Sequence, residues 1–251
     1  MCGRYSLFAP PDEIEERFDA TFDFEFEPRY NAAPSQPLPV VTTEEPDTIQ
    51  RMEWGLVPTW AENRSDHAYI NARAETLAEK RSFADAYESR RCLVPANGFY
   101  EWKESAERSS ADSRAAKPRD SGGNKQPYRV CLPDDDLFAM AGLYERWKPP
   151  QRQSELGEYG ANTANGEDGE DDVVETFTIV TTEPNDAVRD LHHRMAVVLA
   201  PGEEETWLTG ETNEAADLLD PYDGPMRTYP ISTAVNSPSN DSPEIIDEVQ
   251  V

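Results

Sequence analysis

Apolar positions along the chain gather into short runs rich in β-branched and aromatic side chains, each bounded by Pro, Gly, Asp or Asn. Arg4–Leu7, Leu38–Thr42, Ile49–Trp54, Tyr128–Leu132, Leu137–Leu143 and Thr176–Thr181 fit this description and predict strands. Helical segments are fewer and shorter. Asp12–Phe18 follows two prolines suited to a helix start, Ser82–Ser89 carries Phe83 and Tyr87 four apart, and Pro184–Leu191 opens on proline and acid. Glu203–Leu208 and Asn213–Leu219 complete the helical set. Many strands with scattered short helices predict an α+β fold built on antiparallel β-sheets that form a barrel-like core.

Two stretches break the pattern. Residues 104–126 are polar, small and Gly-containing, and residues 149–172 are polar and acidic; both read as solvated insertions. Strand-like sequence flanks each, as if one sheet continued across it, so a single domain over 1–236 is expected, followed by an acidic C-terminal tail, 237–251. At 251 residues and 28.2 kDa the chain is long enough to bury a substantial core. No apolar run reaches the roughly 18 residues needed to cross a bilayer, and MCGRYSLFAP lacks the basic and apolar segments of a secretory signal. The expectation is a cytoplasmic protein with no membrane partner.

Charge adds a second constraint. Fifty acidic residues against 23 basic ones give a net charge of −27, which argues against holding nucleic acid through bulk electrostatics. Any such role requires a local basic site. Five of the basic residues are lysine and the rest arginine, and the acids are spread along the whole chain, a pattern that suits very high intracellular salt. Three cysteines supply no disulfide framework and fit a reducing compartment. Cys92 and Cys131 lie in apolar, strand-like runs and read as core thiols, and no spacing makes a zinc site. No metal or cofactor is called for.

Cys2 stands apart from the other two. A small residue at the second position permits removal of Met1, after which a free α-amine and a thiol would sit on adjacent carbons. The α-amine has a reference pKa near 7.7–8.0, so part of it is unprotonated at neutral pH. An amine condenses with an aldehyde to an imine, and a neighbouring thiolate can close on that imine to give a thiazolidine. The alternative for Cys2 is a small buried core residue.

Further segments bear on the choice. In order, the chain contains Met1-Cys2-Gly3-Arg4-Tyr5, Arg29-Tyr30-Asn31-Ala32-Ala33-Pro34, Trp54-Gly55-Leu56-Val57-Pro58-Thr59-Trp60 and Asn71-Ala72-Arg73-Ala74-Glu75-Thr76. Cys92-Leu93-Val94-Pro95-Ala96-Asn97-Gly98-Phe99-Tyr100-Glu101-Trp102 and His192-His193-Arg194-Met195 follow. This series resembles the SRAP (SOS response-associated peptidase) family of abasic-site cross-linking proteins, from Met1 to about Asn236 apart from the two insertions.

The resemblance implies a protein that captures abasic sites in single-stranded DNA. It implies Cys2 as the cross-linking residue, Asn71 as the polar group that orients it, Glu101 as the acid/base that helps open the deoxyribose ring, and His192 as a second acid/base at the imine. Arg4, Arg73 and Arg194 are similar to the family's phosphate-contacting arginines. Asn31, Pro34, Trp54 and Trp60 resemble parts that meet the DNA near the lesion. A monomer associated with the nucleoid is expected. The chemistry of the residue types agrees: a carboxyl among Phe99, Tyr100 and Trp102 can have its pKa raised enough to donate a proton, and histidine titrates near neutrality.

Salt sharpens the expectation. Neutralising about five phosphates on a single strand, at a slope of about −0.7 per contact, costs roughly four decades of affinity between 0.2 M and 3 M salt. Stacking and covalent capture survive such conditions better than ion pairs.

Other readings stay open at this level. An N-terminal-nucleophile hydrolase or amidotransferase also begins Met-Cys-Gly, and self-release of Met1 by a peptidase reaction uses the same residues. A non-catalytic module for modified DNA is a third reading, and for it replacing Cys2 leaves DNA retention unchanged. Within the motifs, Arg73 has Glu75 as a possible ion-pair partner, and Trp54 and Trp60 have a core role as their alternative. One departure from the family pattern is Ala196, where proline usually follows the Arg-Met of the histidine motif.

Overall fold

The computed structural model describes residues 2–104, 125–149 and 173–251. The first part of the chain forms β1 (Tyr5–Leu7), α1 (Pro11–Phe18), β2 (Thr21–Phe22), β3 (Arg29–Ala32), β4 (Pro37–Thr42), β5 (Thr48–Trp54), β6 (Asn71–Arg73) and α2 (Ala84–Ser89). Then come β7 (Arg91–Ala96), β8 (Gly98–Glu104), β9 (Lys125–Cys131), β10 (Phe138–Trp147) and β11 (Val174–Thr182). The last part forms β12 (Met195–Ala196), β13 (Val198–Leu199), α3 (Glu204–Thr209), α4 (Thr212–Ala216) and β14 (Arg227–Pro230). This is the α+β class predicted from the sequence.

The larger sheet closes on itself. β5, β4, β7, β10 and β11 pair antiparallel in that order, and β5 then meets β11 through Glu53 opposite Thr176 and Trp54 opposite Phe177. Strand direction cannot alternate all the way round an odd-numbered ring, so one seam has to be parallel, and it is β5–β11. Gly55 leaves that seam with φ +141°, a conformation side chains resist, while its N–H donates to Phe177 O at 2.8 Å. At Gly142 of β10 a Cβ would meet Cys92 Sγ at 2.8 Å and Thr178 O at 3.0 Å, so glycine lets β7, β10 and β11 approach closely. β10 is buried on nearly every residue, which is why its sequence reads as an apolar run without alternation.

The smaller sheet runs β14-β9-β8-β1-β3. Its two faces pack on different clusters. Phe99 of β8 joins the main core with Tyr5, Trp54 and Phe177, whereas Tyr100 packs with Cys131, Tyr229, Ile231, Val235 and Ile245. Side chains alternate along a strand, so Glu101 shares the face of Phe99, and that is why a carboxylate is carried into the interior.

Several boundaries differ from the sequence expectation. The predicted helix at Pro184–Leu191 forms turns instead: Asn185 Oδ1 accepts the N–H groups of Ala187 and Val188 at 3.1 and 3.2 Å, a local bond that competes with helix formation. Only Val188 of that stretch is fully buried, so the apolar stripe that holds a surface helix is missing. The stretch expected to be an acidic tail is packed. Ile245 is buried, Val249 N–H donates to Pro230 O at 2.9 Å, and Asp241 Oδ1 accepts from the backbone N–H groups of Tyr30 and Asn31 at 2.6 and 2.9 Å. Its acidic residues coexist with Ile245 and Ile246, which anchor it against the Tyr100 face.

The two expected insertions lie, but for their ends, outside the described residues. The strands on either side pair with each other, β8 with β9 down to Glu104–Lys125 and β10 with β11 down to Trp147–Val174. No described helix is long and apolar enough to cross a membrane.

Candidate functional site

Three separate parts of the fold bring Cys2, Asn71, Glu101 and His192 together. Antiparallel pairing of Tyr5 with Phe99, and the bond from Tyr100 N–H to Arg4 O at 3.0 Å, lay the residues before β1 alongside Glu101. β6 pairs parallel to β11, Asn71 opposite Ile179, and from there the Asn71 side-chain amide donates to Cys2 O at 2.9 Å. The turns after β11 return His192, whose Nδ1 lies 3.9 Å from Glu101 Oε2.

Burial sets the electrostatics. Glu101 is 1% exposed, and desolvation raises its pKa from 4.5 to about 7, which lets this carboxyl hold a proton well above the usual carboxylate range. Burial also pushes the Cys2 thiol far up, with the Glu101 carboxylate adding to the effect, so the thiol is protonated in this state. His192 is the side of the site nearest solvent, with 23% of its side chain exposed, and burial lowers its pKa below 6.5. Its Nδ1 lies 3.1 Å from both the backbone N–H and the carbonyl of Arg194. Cys2 itself is completely buried, and its Sγ lies 3.8 Å from Arg4 O. The structure therefore gathers the four residues but does not offer the thiol to solvent.

The arginines are distributed around this centre. Arg4 is half-buried, with Nη2 donating to Asn236 O at 3.3 Å, and Arg73 is exposed on β6. Arg194 makes a two-pronged ion pair with Glu75, Nη1 to Oε1 at 2.5 Å and Nη2 to Oε2 at 3.0 Å, and also donates to Thr181 O. Glu75 thus takes Arg194, not the neighbouring Arg73, as its hydrogen-bonded partner. Sequence spacing could not find this pair, because the partners are 119 residues apart. Ala196 pairs with Thr181 in β12, so strand pairing holds the backbone behind the histidine motif without the usual proline.

Two residues expected to meet DNA have no surface to offer it. Trp54 is fully buried, edge-on to Tyr5, stacked at 6.3 Å on Phe177, and donating Nε1–H to Ile70 O at 2.9 Å. Asn31 is also fully buried, its amide reaching Val235 O, Ser237 O and Asn240 O at 3.2, 2.9 and 2.8 Å. Trp54 sits at the β5–β11 seam, and Asn31 ties β3 to the segment that follows β14. Pro34 is half-buried in a turn beside Ser35, and Trp60 is half-buried, flanked by Arg81 at 4.9 Å and His67 at 4.8 Å. Among the described residues no group of three or more His, Cys, Asp or Glu is arranged to hold a metal ion.

A barrel closed through one parallel seam, with Cys2, Asn71, a buried Glu101 and His192 gathered beside it, is the setting in which the chain's kinship falls into place. The chain belongs to the SRAP family, the SOS response associated peptidases, whose model matches residues 1–238. It is 38% identical to the abasic site processing protein YoqW of Bacillus subtilis (strain 168), over 98% of this chain and 99% of that protein. It is 29% identical to the abasic site processing protein HMCES of Gallus gallus, over 90% of this chain and 68% of that protein. A crystal structure of a protein from Bacteroides thetaiotaomicron superposes with a TM-score of 0.77 at 28% identity, covering 99% of this chain and 100% of that one.

Proposed function

We propose that this chain processes abasic sites in single-stranded DNA by forming a covalent thiazolidine link through Cys2 once Met1 has been removed. The observation that carries the reading is the convergence of Asn71, Glu101 and His192 on Cys2. The names of the relatives, abasic site processing proteins, support the substrate class.

The chemistry balances with these groups alone. An abasic deoxyribose is a cyclic hemiacetal. Glu101, protonated, gives its proton to the ring oxygen as the C1′–O4′ bond breaks; the C1′ hydroxyl proton leaves as the aldehyde forms, and Glu101 is the nearest base to receive it. The Cys2 amine then adds to C1′ and the resulting carbinolamine loses water, which needs a proton delivered to the departing hydroxyl; Glu101 and His192 are placed for that transfer. The thiol adds across the C=N bond, sulfur to carbon and the proton to nitrogen, and the ring closes. One water leaves for each link formed. Asn71 holds the Cys2 carbonyl and with it the orientation of both nucleophiles.

Removal of Met1 changes the state of Cys2. Its nitrogen becomes a titratable amine in place of an amide, and a positive charge next to the sulfur lowers the thiol pKa. Release of Met1 by the chain itself, with Glu101 and His192 as acid and base, is part of the same proposal. Arg4, Arg73 and Arg194 supply phosphate contacts, and Pro34 and Trp60 flank the bases. The protein acts on DNA as a monomer at the nucleoid, in one domain.

The test is incubation of the protein with a single-stranded oligonucleotide bearing one abasic site, followed by a denaturing gel. A shifted, heat-stable band lost in Cys2→Ala and Cys2→Ser is expected, with intact-mass measurement showing Met1 gone from the linked species. An equal shift for wild type and both variants, or a linked species that keeps Met1, overturns the reading.

A further inference from the structure

The guanidinium of Arg194, which follows His192 by two residues, is already occupied. Arg194 is nearly enclosed, with 11% of its side chain exposed, while Glu75 above it is 49% exposed. Glu75 meets Arg194 through both carboxylate oxygens, in the planar two-pronged geometry that a phosphate would also use. Arg194 does not depend on that carboxylate for its position. Its Nη2 also donates to Thr181 O, and its backbone N–H and carbonyl both lie 3.1 Å from His192 Nδ1. Glu75, by contrast, sits on a single exposed turn, Ala74–Thr76, and a carboxylate that swings away from there returns to water with little desolvation to recover.

We propose that Glu75 acts as an internal stand-in for a DNA phosphate, occupying Arg194 in the free protein and giving way when a strand enters. The inference rests on the reading of Arg194 as a phosphate contact and adds to it a selectivity device. A lone small anion has to displace a carboxylate already held at high effective concentration, whereas a strand that also engages Arg4 and Arg73 does so with the help of its other contacts. Glu75 therefore sets a threshold at Arg194 that a lone anion fails to meet and that a strand held also at Arg4 and Arg73 passes. The order of the two charged residues in Asn71-Ala72-Arg73-Ala74-Glu75-Thr76 gives this arrangement: Arg73 on the end of β6 faces outward, and the turn that follows folds Glu75 back onto the histidine motif.

The experiment measures reversible binding of an undamaged single-stranded oligonucleotide in a Cys2→Ala background, so that covalent capture does not enter. Four proteins complete a cycle: unmodified at both positions, Glu75→Gln, Arg194→Ala, and the two together. Glu75→Gln is expected to tighten binding about three- to fivefold, the range of a partly exposed ion pair. The gain is expected to shrink to less than about 1.5-fold when Arg194 is absent, which separates displacement from the general loss of one negative charge. In a Cys2-containing protein, Glu75→Gln is expected to reach the same final cross-link yield at saturating abasic DNA. Weaker or unchanged binding by Glu75→Gln overturns the proposal, since it makes Glu75 a support for Arg194. An equal gain with and without Arg194 overturns it as well. Loss of cross-linking by the Cys2-containing parent strikes the functional reading instead, and the binding cycle still reports on Glu75.

Discussion

Replacing Glu101 with Gln separates what the buried carboxyl does for chemistry from what it does to stability. Glu101 is 1% exposed, so solvent screening removes little of the effect of its raised pKa. A carboxyl with a pKa of 4.5 when unfolded and about 7 when folded binds more protons in the folded state between those values. Its contribution to stability is therefore undiminished below about pH 4.5 and falls as pH rises towards 7. At pH 8 the folded protein carries a penalty of about 3 kcal/mol relative to a neutral isostere, and at pH 5 less than about 1 kcal/mol. Gln keeps the shape and is neutral throughout. Glu101→Gln is thus expected to melt above wild type by roughly 5–10 °C more at pH 8 than at pH 5, for a chain of this size. The same variant is expected to cross-link abasic DNA about 100-fold more slowly or worse, because ring opening loses its acid. Differential scanning fluorimetry across pH, read beside single-turnover cross-linking, makes the comparison. A melting difference that does not change between pH 5 and pH 8 would refute the assignment of a raised pKa to this carboxyl.

The remaining predictions concern its neighbours. Cross-linking rate against pH is expected to be bell-shaped, its acid limb below 6.5 as His192 protonates and its basic limb near 7 as Glu101 ionises; in His192→Asn the acid limb disappears from the stopped-time gel assay. Trp54→Ala is expected to cost about 3–5 kcal/mol of stability in urea unfolding, as for other buried aromatics, with no selective effect on DNA affinity among molecules that remain folded. Asn31→Ala leaves the carbonyls of Val235, Ser237 and Asn240 without their side-chain donor, and is expected to cost about 1–3 kcal/mol and to make the segment after Val235 the first site of limited proteolysis.

The strand-rich class was legible because the strands that carry it have local signatures. Ile49–Trp54 and Thr176–Thr181 are β-branched and aromatic between turn residues, and their observed bounds, Thr48–Trp54 and Val174–Thr182, differ by a few residues. Closure of the ring was foreseen only as barrel-like, since no local signal marks the pairing of Trp54 with Phe177. The two-residue strands at Met195–Ala196 and Val198–Leu199 exist because long-range neighbours complete them, and a window of two residues has no period to read.

At the site, residue chemistry pointed to Cys2, the motif resemblance pointed to Glu101 and His192, and the aromatic neighbours of Glu101 allowed a raised pKa that its burial in the fold produces. Trp54 and Asn31 were misplaced for an opposite reason. A tryptophan or an asparagine has the same one-dimensional signature whether it faces a base or a core, and only the packing of β5 against Phe177 and of β3 against residues 235–241 decides between them. The pairing of Glu75 with Arg194 was invisible because it depends on how the turns after β11 fold back.

Complete enclosure of Cys2 also constrains when the chain can mature. Asn71 of β6, which is held by β11, bonds the Cys2 carbonyl, and Glu101 beside it faces His192 from the turns that follow, so the full surroundings of Cys2 emerge from a ribosome late. At 5–20 residues per second, roughly 10–40 seconds separate the appearance of the first residues from that of His192. For the proposed maturation, an aminopeptidase acting before folding is expected to use that interval, ahead of the enclosure of Cys2.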